Sequence, residues 1–418
     1  MVIYMKNVLI VSFYFPPLNS IAAKRYGTMC KYFRENGYEP YILTTLKDNR
    51  FFGSKHDLNV PVSEDNIIRI AEKNPYSGIK VYGIAKITGV FEKFKVASRV
   101  IESGDLFWYE NIKELLDLKV LSNIDIVVGT YGPMGNLYAA KFIAKKIGCP
   151  YIAELRDFIS DWKWMPDGYR QSYMLDRIVE RSILSSASGI VVVAPGAKKI
   201  IQKRYPKKRI ATIFNGWDES RTETEGNAQE KYLYYAGSLD EHILEGFTIL
   251  LSALRKVNEK EPVKFILRLV GFQKINNEAK KIVREMEMED RVMILSPAAS
   301  DVIKEERGKA YINVVLNAIH EEEQEWMAMM CGKTYEYMNE KAPILAVTPR
   351  KSDLAQVLSY TQKGIGTVSE DEMVDFILHT NDKYMGNDKV IKFSRKYQAA
   401  RLCKFMDCIL KKNSKGVQ

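Results

Sequence analysis

Short apolar runs alternate with helical segments along the first half of the chain. The runs are apolar at consecutive positions, as is typical of parallel strands covered by helices on both faces. Between them, 22–37 and 137–150 have the spacing of amphipathic helices, each with a glycine near its end where a C-cap belongs. We therefore predict a parallel sheet whose strands are VLIVS (8–12), YILTT (41–45), DIVVGT (125–130), PYIAEL (150–155), GIVVVA (189–194) and IATIFNG (210–216).

The alternation stops at a polar, charged stretch and then begins again. This stretch, 218–231, has no apolar period and is interpreted as an interdomain linker. After it, the predicted strands are YLYYAGS (232–238), FILRLVG (265–271), RVMILSP (291–297), YINVVLN (311–317), PILAV (343–347) and GIGTVS (364–369).

Two successive series of this kind predict an α/β protein with two Rossmann-like, doubly wound parallel-sheet domains that face each other across a cleft. The first domain is expected at 1–217 and the second at 232–392. The remaining 393–418 has helical periodicity, and either packs back on the first domain or lies on the surface. Ligands of such sheets bind at the carboxyl ends of the strands.

Composition narrows the class of protein. The 418 residues carry a net charge of +10 without a nucleic-acid-binding motif, so anionic lipid or phosphorylated small molecules are the expected partners and nucleic acid is not. The five cysteines show no CxxC spacing and the four histidines are scattered, so no metal site is expected. The apolar start is interrupted at Lys6 and Asn7 and is interpreted as a strand rather than a signal peptide, which predicts a cytoplasmic protein.

Six motifs, in order along nearly the whole chain, resemble those of GT-B-fold glycosyltransferases of the family-4 type. These enzymes transfer sugars from nucleotide donors with retention of configuration and without an essential metal or cofactor. The resemblance implies a nucleotide-sugar donor, expected to be UDP-linked, and a glycan or lipid-linked acceptor in bacterial cell-surface polysaccharide synthesis. The motifs are SFYFPP (12–17), GDLFWYENI (104–112), ELRDFISDW (154–162), IFNGWD (213–218), YYAGSL (234–239) and GKTYEYM (332–338).

The motif GKTYEYM is the predicted donor site. A helix that starts near Gly332 would point its free N–H groups at an anion, and Lys333 would add a full positive charge there. The resemblance implies that Lys333 and Thr334 lie at the diphosphate, Glu336 at the ribose, and Gly237 at the end of the preceding strand. The alternative is a surface ion pair between Lys333 and Glu336, worth only about 0.2–0.5 kcal/mol.

The remaining candidate residues follow strands of the first domain. Arg156 and Asp157, with Lys333, are the candidate catalytic residues; Arg156 would hold phosphate or an acidic acceptor, and the alternative is a buried Arg–Asp pair that fixes the loop. The loop after the first strand and a turn after the third main strand are a candidate phosphate or acceptor site, with residues Asn19, Ser20, Ala22 and Gly132. Lys24 or Arg25 could meet phosphate, or belong to a solvated helix turn.

The chain departs from the family at several positions. The basic pair that usually follows the AGS-like strand is absent, because 237–246 reads GSLDEHILEG, and Ala328 stands where many relatives have an acid. No histidine occurs near YGPMGN (131–136). Lys333 must then carry more of the phosphate charge than usual. The acidic segment and the absent histidine leave a non-catalytic GT-B protein that binds carbohydrate or a partner as an alternative. A third alternative is a nucleotide-sugar epimerase on the same fold, which needs several acid or base groups in its cleft, and this sequence shows few.

A segment before the candidate sites has the pattern of a membrane-surface helix. In 86–101, apolar residues recur at helical spacing, and Lys86, Lys93, Lys95 and Arg99 lie elsewhere around the helix. This predicts either a helix on an anionic membrane, making the protein peripheral on the inner face of the plasma membrane, or an amphipathic helix that faces the core.

Overall fold

The computed structural model describes residues 5–46, 58–71, 93–97, 103–161, 168, 170–218, 231–271, 273–322, 324–380 and 382–414. The chain divides into two compact units. Unit 1 is formed by Met1–Phe214 together with Lys396–Gln418, and unit 2 by Asn215–Arg395.

Unit 1 is built on a seven-stranded sheet in which every neighbouring pair is parallel. The strands in chain order are β1 Lys6–Val11, β2 Tyr38–Thr45, β3 Ile67–Ile70, β4 Val96–Ala97, β5 Ile126–Thr130, β6 Tyr151–Leu155, β7 Arg170–Gln171, β8 Gly189–Val192 and β9 Ile210–Thr212. The sheet order is β3-β2-β1-β5-β6-β8-β9, while β4 and β7 pair with each other separately. The winding direction therefore reverses between β1 and β5, which is the position where such sheets bind ligands.

Two helices of unit 1 have well-defined caps, one of which, a C-terminal glycine, the sequence predicts. Ser20 caps the first helix, since its side chain accepts a hydrogen bond from Ala23 N, and Gly148 ends the third with φ of +77°. The α-helices are α1 Ile21–Met29, α2 Ser103–Leu115, α3 Gly135–Ile147, α4 Tyr173–Ser186 and α5 Pro195–Arg204. Shorter 3₁₀ helices lie at Cys30–Tyr32, Arg34–Asn36, Glu64–Asn66 and Leu118–Leu121.

Unit 2 repeats the design with six parallel strands. They are β10 Tyr232–Ser238, β11 Lys264–Val270, β12 Val292–Leu295, β13 Ile312–Leu316, β14 Ile344–Val347 and β15 Gly364–Thr367. Their order is β12-β11-β10-β13-β14-β15, so the reversal lies between β10 and β13. The described strands β13 and β14 are buried along their whole length, which explains their uninterrupted apolar sequences.

The helices of unit 2 cover both faces of this sheet. They are α6 Leu244–Asn258, α7 Gln273–Glu285, α8 Ser300–Lys309, α9 Gln324–Met327, α10 Gly332–Met338, α11 Asp353–Thr361 and α12 Glu370–His379. The 3₁₀ helices of unit 2 are Glu241–Ile243, Asp382–Tyr384 and Asp388–Phe393.

The last helix, α13 Arg395–Ser414, joins the core of unit 1. Five of its side chains are buried in one cluster with residues of β1, β2 and α1, and each such burial contributes about 1.5–3 kcal/mol for a large apolar side chain. Gln398 also accepts a hydrogen bond from Phe214 N at 2.9 Å. The five buried residues of α13 are Ala399, Leu402, Cys403, Met406 and Ile409.

The predicted fold class, two doubly wound parallel-sheet domains, is confirmed. Differences are local. The helix predicted at 22–37 ends at Met29 and continues as two 3₁₀ turns, and β3 was not predicted. Most of 86–101 lies outside the described residues, but Lys95 has φ of +50° and Val96–Ala97 is a strand, so 93–97 is not the continuous helix expected there. Residues 219–230 of the predicted linker also lie outside the described part.

Candidate functional sites at two strand reversals

The residues of GKTYEYM lie at the strand reversal of unit 2. The helix α10 begins at Gly332, as predicted, and spans seven residues, so its dipole is small and the charge at this position rests on Lys333. Tyr337 O–H accepts a hydrogen bond from Ala236 N at 3.2 Å, which ties α10 to β10. The carboxyl end of β10 and the first turn of α10 are thereby held side by side.

Lys333 packs directly on β10. Its Nζ lies 3.7 Å from the centroid of the Tyr235 ring, a cation–π contact. Gly237 has φ of +151°, and a Cβ built there would overlap Lys333 Nζ and lie 3.1 Å from Cε. Glycine is therefore required at 237 both for the backbone conformation and for the room that the lysine occupies. The sequence prediction brought Gly237 and Lys333 to one place, and the structure shows them in contact.

The surroundings of Lys333 perturb its charge. Burial lowers the pKa of Lys333 to about 8, although Cys331, Glu336 and Asp240 oppose the shift. Burial likewise raises the pKa of the Cys331 thiol, which precedes the helix. A cation held in a partly desolvated position attracts an anionic ligand more strongly than the same cation in water, because the effective dielectric constant is lower.

Glu336 and Thr334 have distinct environments. Glu336 Oε2 accepts a hydrogen bond from Arg307 at 2.7 Å, and Arg307 also donates to Glu340 at 2.8 Å. Sequence inspection missed Arg307, because it comes from α8, 29 residues before Glu336. Thr334 is fully buried, and its hydroxyl has no hydrogen-bond partner in the described part of the chain. The lysine–glutamate ion pair considered as an alternative is replaced by a pair between Arg307 and Glu336.

Residues of the acidic segment after β10, 237–246, make hydrogen bonds and ring contacts within unit 2. Asp240 caps the short helix Glu241–Ile243 by accepting from His242 N at 3.0 Å. The His242 ring contacts Trp326, with centroids 4.8 Å apart and the ring planes tilted by 42°. Ala328 is buried, so the position that carries an acid in many relatives here contributes to the packing.

In unit 1, Arg156 holds together the loops at the strand reversal. Its guanidinium donates to the carbonyls of Tyr131 at 2.9 Å, Gly132 at 2.8 Å and Ala22 at 3.4 Å. Gly132 has φ of +87°, and a Cβ there would lie 2.9 Å from Arg156 Nη2. Arg156 is thus a positioning residue for this loop, and the expected Arg–Asp pair is replaced by hydrogen bonds to backbone carbonyls. Asp157 is exposed beside it.

The other predicted residues of unit 1 surround the same reversal. Ser20 is the N-cap of α1, Asn19 and Ala22 are half-buried in the loop and first turn, and Arg25 is fully removed from solvent. Neither expectation for Arg25, phosphate binding or a solvated turn, is right.

Arg25 forms a bidentate pair with Glu154 at 2.6 and 3.0 Å, with 2% and 0% of the side chains exposed. Burial by itself raises the pKa of Glu154, but the charge and hydrogen bonds of Arg25 outweigh it, and the net shift is downward.

The sites offer no evident metal position in the described ranges, where no group of three or more His, Cys, Asp or Glu side chains is arranged to hold an ion. Likewise, the helices of the described part include none with the length and apolar character needed to cross a membrane.

Solved structures resemble the whole chain at low identity. A glycosyltransferase from Rickettsia africae is 13% identical with a TM-score of 0.62, covering 97% of this chain and 99% of that one. Sucrose-phosphate synthase from Thermosynechococcus elongatus is 11% identical, with a TM-score of 0.57 and 98% of each chain covered.

Two further similar structures have UDP or a UDP-linked sugar in their names. HepE from Anabaena, in complex with UDP and glucose, is 12% identical with a TM-score of 0.54 over 99% of each chain. UDP-GlcNAc 2-epimerase from Methanocaldococcus jannaschii is 12% identical with a TM-score of 0.52, over 96% of this chain and 99% of that one. No protein-family profile matches the chain, and no curated protein does. The likeness therefore shows the fold, two Rossmann-like parallel-sheet domains of the GT-B class.

Proposed function

We propose that this protein is a retaining glycosyltransferase that needs no metal and moves a sugar from a UDP-linked donor to a glycan or glycolipid acceptor in bacterial cell-surface polysaccharide synthesis. The observation that carries the proposal is the placement of Lys333 at the strand reversal of unit 2. There its charge lies against a glycine backbone and an aromatic ring, where a parallel sheet binds its ligand. The structural likeness to HepE, solved with UDP and glucose, supports the same assignment.

The donor would be held by groups with separate tasks. Lys333 opposes the diphosphate, and the bare backbone at Gly237 leaves room for a phosphate to approach. Glu336 accepts hydrogen bonds from the ribose through Oε1, since Arg307 engages Oε2 and fixes the orientation of the carboxylate. The buried hydroxyl of Thr334 is a further group next to Lys333.

The chemistry requires stabilisation of a leaving group more than a protein nucleophile. The bond between the sugar C1 and the phosphate oxygen breaks, and UDP leaves with the bonding electrons. The acceptor oxygen forms the new bond to C1 on the same face, and its proton passes to a phosphate oxygen of the donor. Lys333 stabilises the charge that develops on the diphosphate. In unit 1, the loop held by Arg156 is the proposed phosphate or acceptor loop.

Release of UDP from UDP-sugars in the absence of acceptor tests the activity. We expect slow release from one nucleotide sugar, and Glu336→Ala to weaken UDP binding by roughly 1–3 kcal/mol, as for a lost hydrogen bond to a charged group. This variant leaves Arg307 paired with Glu340, so the fold should persist. Glu305→Ala, which removes an exposed carboxylate from α8, is the matched control and should bind normally. Equal UDP affinity of Glu336→Ala and wild type contradicts the assignment.

An epimerase is the second candidate, favoured by the likeness to the M. jannaschii enzyme. NMR of the incubated nucleotide sugar separates the two, because an epimerase changes the configuration of the intact sugar nucleotide while a transferase releases UDP. A protein that binds UDP and does neither would be the non-catalytic GT-B alternative, which the acidic segment after β10 also allows.

A further inference from the structure

The helix α4 buries two acids on its inward side and exposes large apolar side chains on its outward side. Asp176 and Glu180, one turn apart, are both fully buried. The opposite side presents Met174, 77% exposed, and Ile178, 56% exposed, also one turn apart. Tyr173 beside them is 44% exposed. The other buried residues of α4 are apolar, as is normal for a surface helix, so the two buried acids are the exception that needs a cause.

Hydrogen bonds to the buried acid supply the cause. Glu180 accepts from Ser160 at 2.7 Å, from Arg204 at 2.6 Å and from Tyr205 at 3.0 Å. Losing these partners would leave a buried carboxylate unsatisfied, which costs more than exposing two apolar side chains. The helix is therefore held with Met174 and Ile178 facing outward.

A second segment extends this apolar surface. The strand β4 pairs with β7 immediately before α4, and Arg170 N donates to Lys95 O at 3.0 Å. The residue before Lys95 is Phe94, which is 64% exposed. Phe94 is thus brought by backbone pairing to the amino-terminal end of α4.

The charges of the two segments all have one sign at the surface. In the described residues 93–97 and 168–186, the acids are Asp176 and Glu180, and both are buried. The basic residues there are all exposed, and one of them, Arg177, also lies 4.0 Å from the Glu180 carboxylate while half of its side chain remains in solvent. Together with the exposed apolar residues they form what we call the basic-apolar face: Lys93, Phe94, Lys95, Arg170, Tyr173, Met174, Arg177, Ile178 and Arg181.

This face extends along α4, whose fourteen residues are about 21 Å long at 1.5 Å per residue. On α4, its residues lie within an arc of roughly 140°, at 100° per residue, with cations and apolar side chains interleaved. Long basic side chains placed beside apolar ones can reach phosphate groups while the apolar ends enter the region below them.

We infer that the basic-apolar face binds the surface of a bilayer that contains anionic lipid. Met174, Ile178, Tyr173 and Phe94 enter the interface between headgroups and acyl chains. The five cations neutralise lipid phosphates, and no exposed acid of the two described segments opposes them. A protein partner would need an equally one-signed acidic surface with an apolar ridge. The inference goes beyond the proposed transferase activity and does not depend on it.

Co-sedimentation of the full chain with vesicles tests the inference. We expect binding to phosphatidylcholine vesicles that contain about 30 mol% phosphatidylglycerol, little binding to phosphatidylcholine alone, and weaker binding as salt rises from roughly 0.05 to 0.5 M. Arg177→Gln with Arg181→Gln should lower the partition coefficient roughly 10- to 30-fold. Met174→Ser with Ile178→Ser should lower it about tenfold even at high salt.

Matched controls separate this face from charge and apolarity in general. Lys198→Gln with Lys199→Gln removes two exposed cations of α5, and Met293→Ser with Val302→Ser removes two exposed apolar side chains of unit 2. Both double variants should bind vesicles within about twofold of wild type. All the changed residues are exposed, and thermal unfolding curves verify that each variant is folded.

Three outcomes would overturn the inference. The first is no binding of the wild type to anionic vesicles at low salt. The second is equal loss of binding in the α4 variants and the controls. The third is a dimer of the wild type in light scattering that Met174→Ser dissolves, because the face would then bind a second copy of the chain.

Discussion

Replacing Gly237 by alanine tests whether the contact between β10 and Lys333 forms the donor site. The new Cβ would overlap Lys333 Nζ, so the lysine must leave the position over the Tyr235 ring. Tyr235 itself is held by its hydroxyl, which donates to Ser238 O at 2.5 Å, and cannot follow easily. The substitution therefore displaces one cation without removing it from the chain.

Two costs must be separated in this variant. The first is backbone strain, because φ at Gly237 is +151° and L residues rarely adopt it; this costs folding roughly 1–3 kcal/mol. The second is the loss of a charge-assisted hydrogen bond to a phosphate, about 1.5–3 kcal/mol, which corresponds to a 10- to 150-fold weaker Kd for UDP. Gly148→Ala has the first cost alone, since φ is +77° and no atom lies within 4 Å of the new Cβ.

Calorimetric titration with UDP is the assay. Gly148→Ala should lose stability and bind UDP as wild type does, whereas Gly237→Ala should lose both. A double-mutant cycle with Lys333→Met tests whether Gly237→Ala weakens UDP binding through Lys333. Both substitutions take the same cation away from the same place. We expect the Kd of the double variant to match that of Lys333→Met within about twofold. Normal UDP affinity of Gly237→Ala, or additive losses in the cycle, would refute the reasoning.

Three further predictions follow from the geometry of the two units. The affinity for UDP should fall as pH rises from 7 to 9, because Lys333, whose pKa is lowered to about 8 by burial, loses its proton in this range; titrations at several pH values measure this, and Lys333→Met should remove the dependence. Arg25→Met should destabilise unit 1 by about 3–5 kcal/mol in urea unfolding, while the double variant with Glu154→Met should recover most of this loss; no recovery would contradict the account of the pair. Arg156→Gln should lower transfer activity more than UDP affinity in unit 2, since its hydrogen bonds hold a loop of unit 1; equal losses in both would oppose a positioning role.

The pattern of apolar runs alternating with helical segments was sufficient to predict the two-sheet architecture. Strands buried on both faces must be apolar at successive positions, and parallel neighbours must be separated by helices, so both sheets were predictable. Two helix ends were also predictable from the sequence, because Gly37 and Gly148 occupy left-handed positions where side chains are disfavoured. The pairing of Gly237 with Lys333 was predictable only through the family resemblance.

Contacts between distant residues were decided by the tertiary structure. Arg25 and Glu154 are 129 residues apart, and neither one signals in sequence that the other will neutralise it. Arg307 reaches Glu336 from another helix, and Arg156 is engaged by backbone carbonyls, which all residues possess and no sequence pattern marks.

The orientation of α4 shows most clearly what the sequence alone does not determine. Asp176 and Glu180 repeat every four residues, and so do Met174 and Ile178, so the sequence defines two faces of the helix equally well. Ile183 and Leu184 are buried on the same side as the two acids. On that side Arg204, Ser160 and Tyr205, which come from elsewhere in the fold, bind Glu180. Met174 and Ile178 are therefore left on the outward side. A periodic sequence specifies which residues share a face, whereas only the partners supplied by the tertiary structure specify which face is buried.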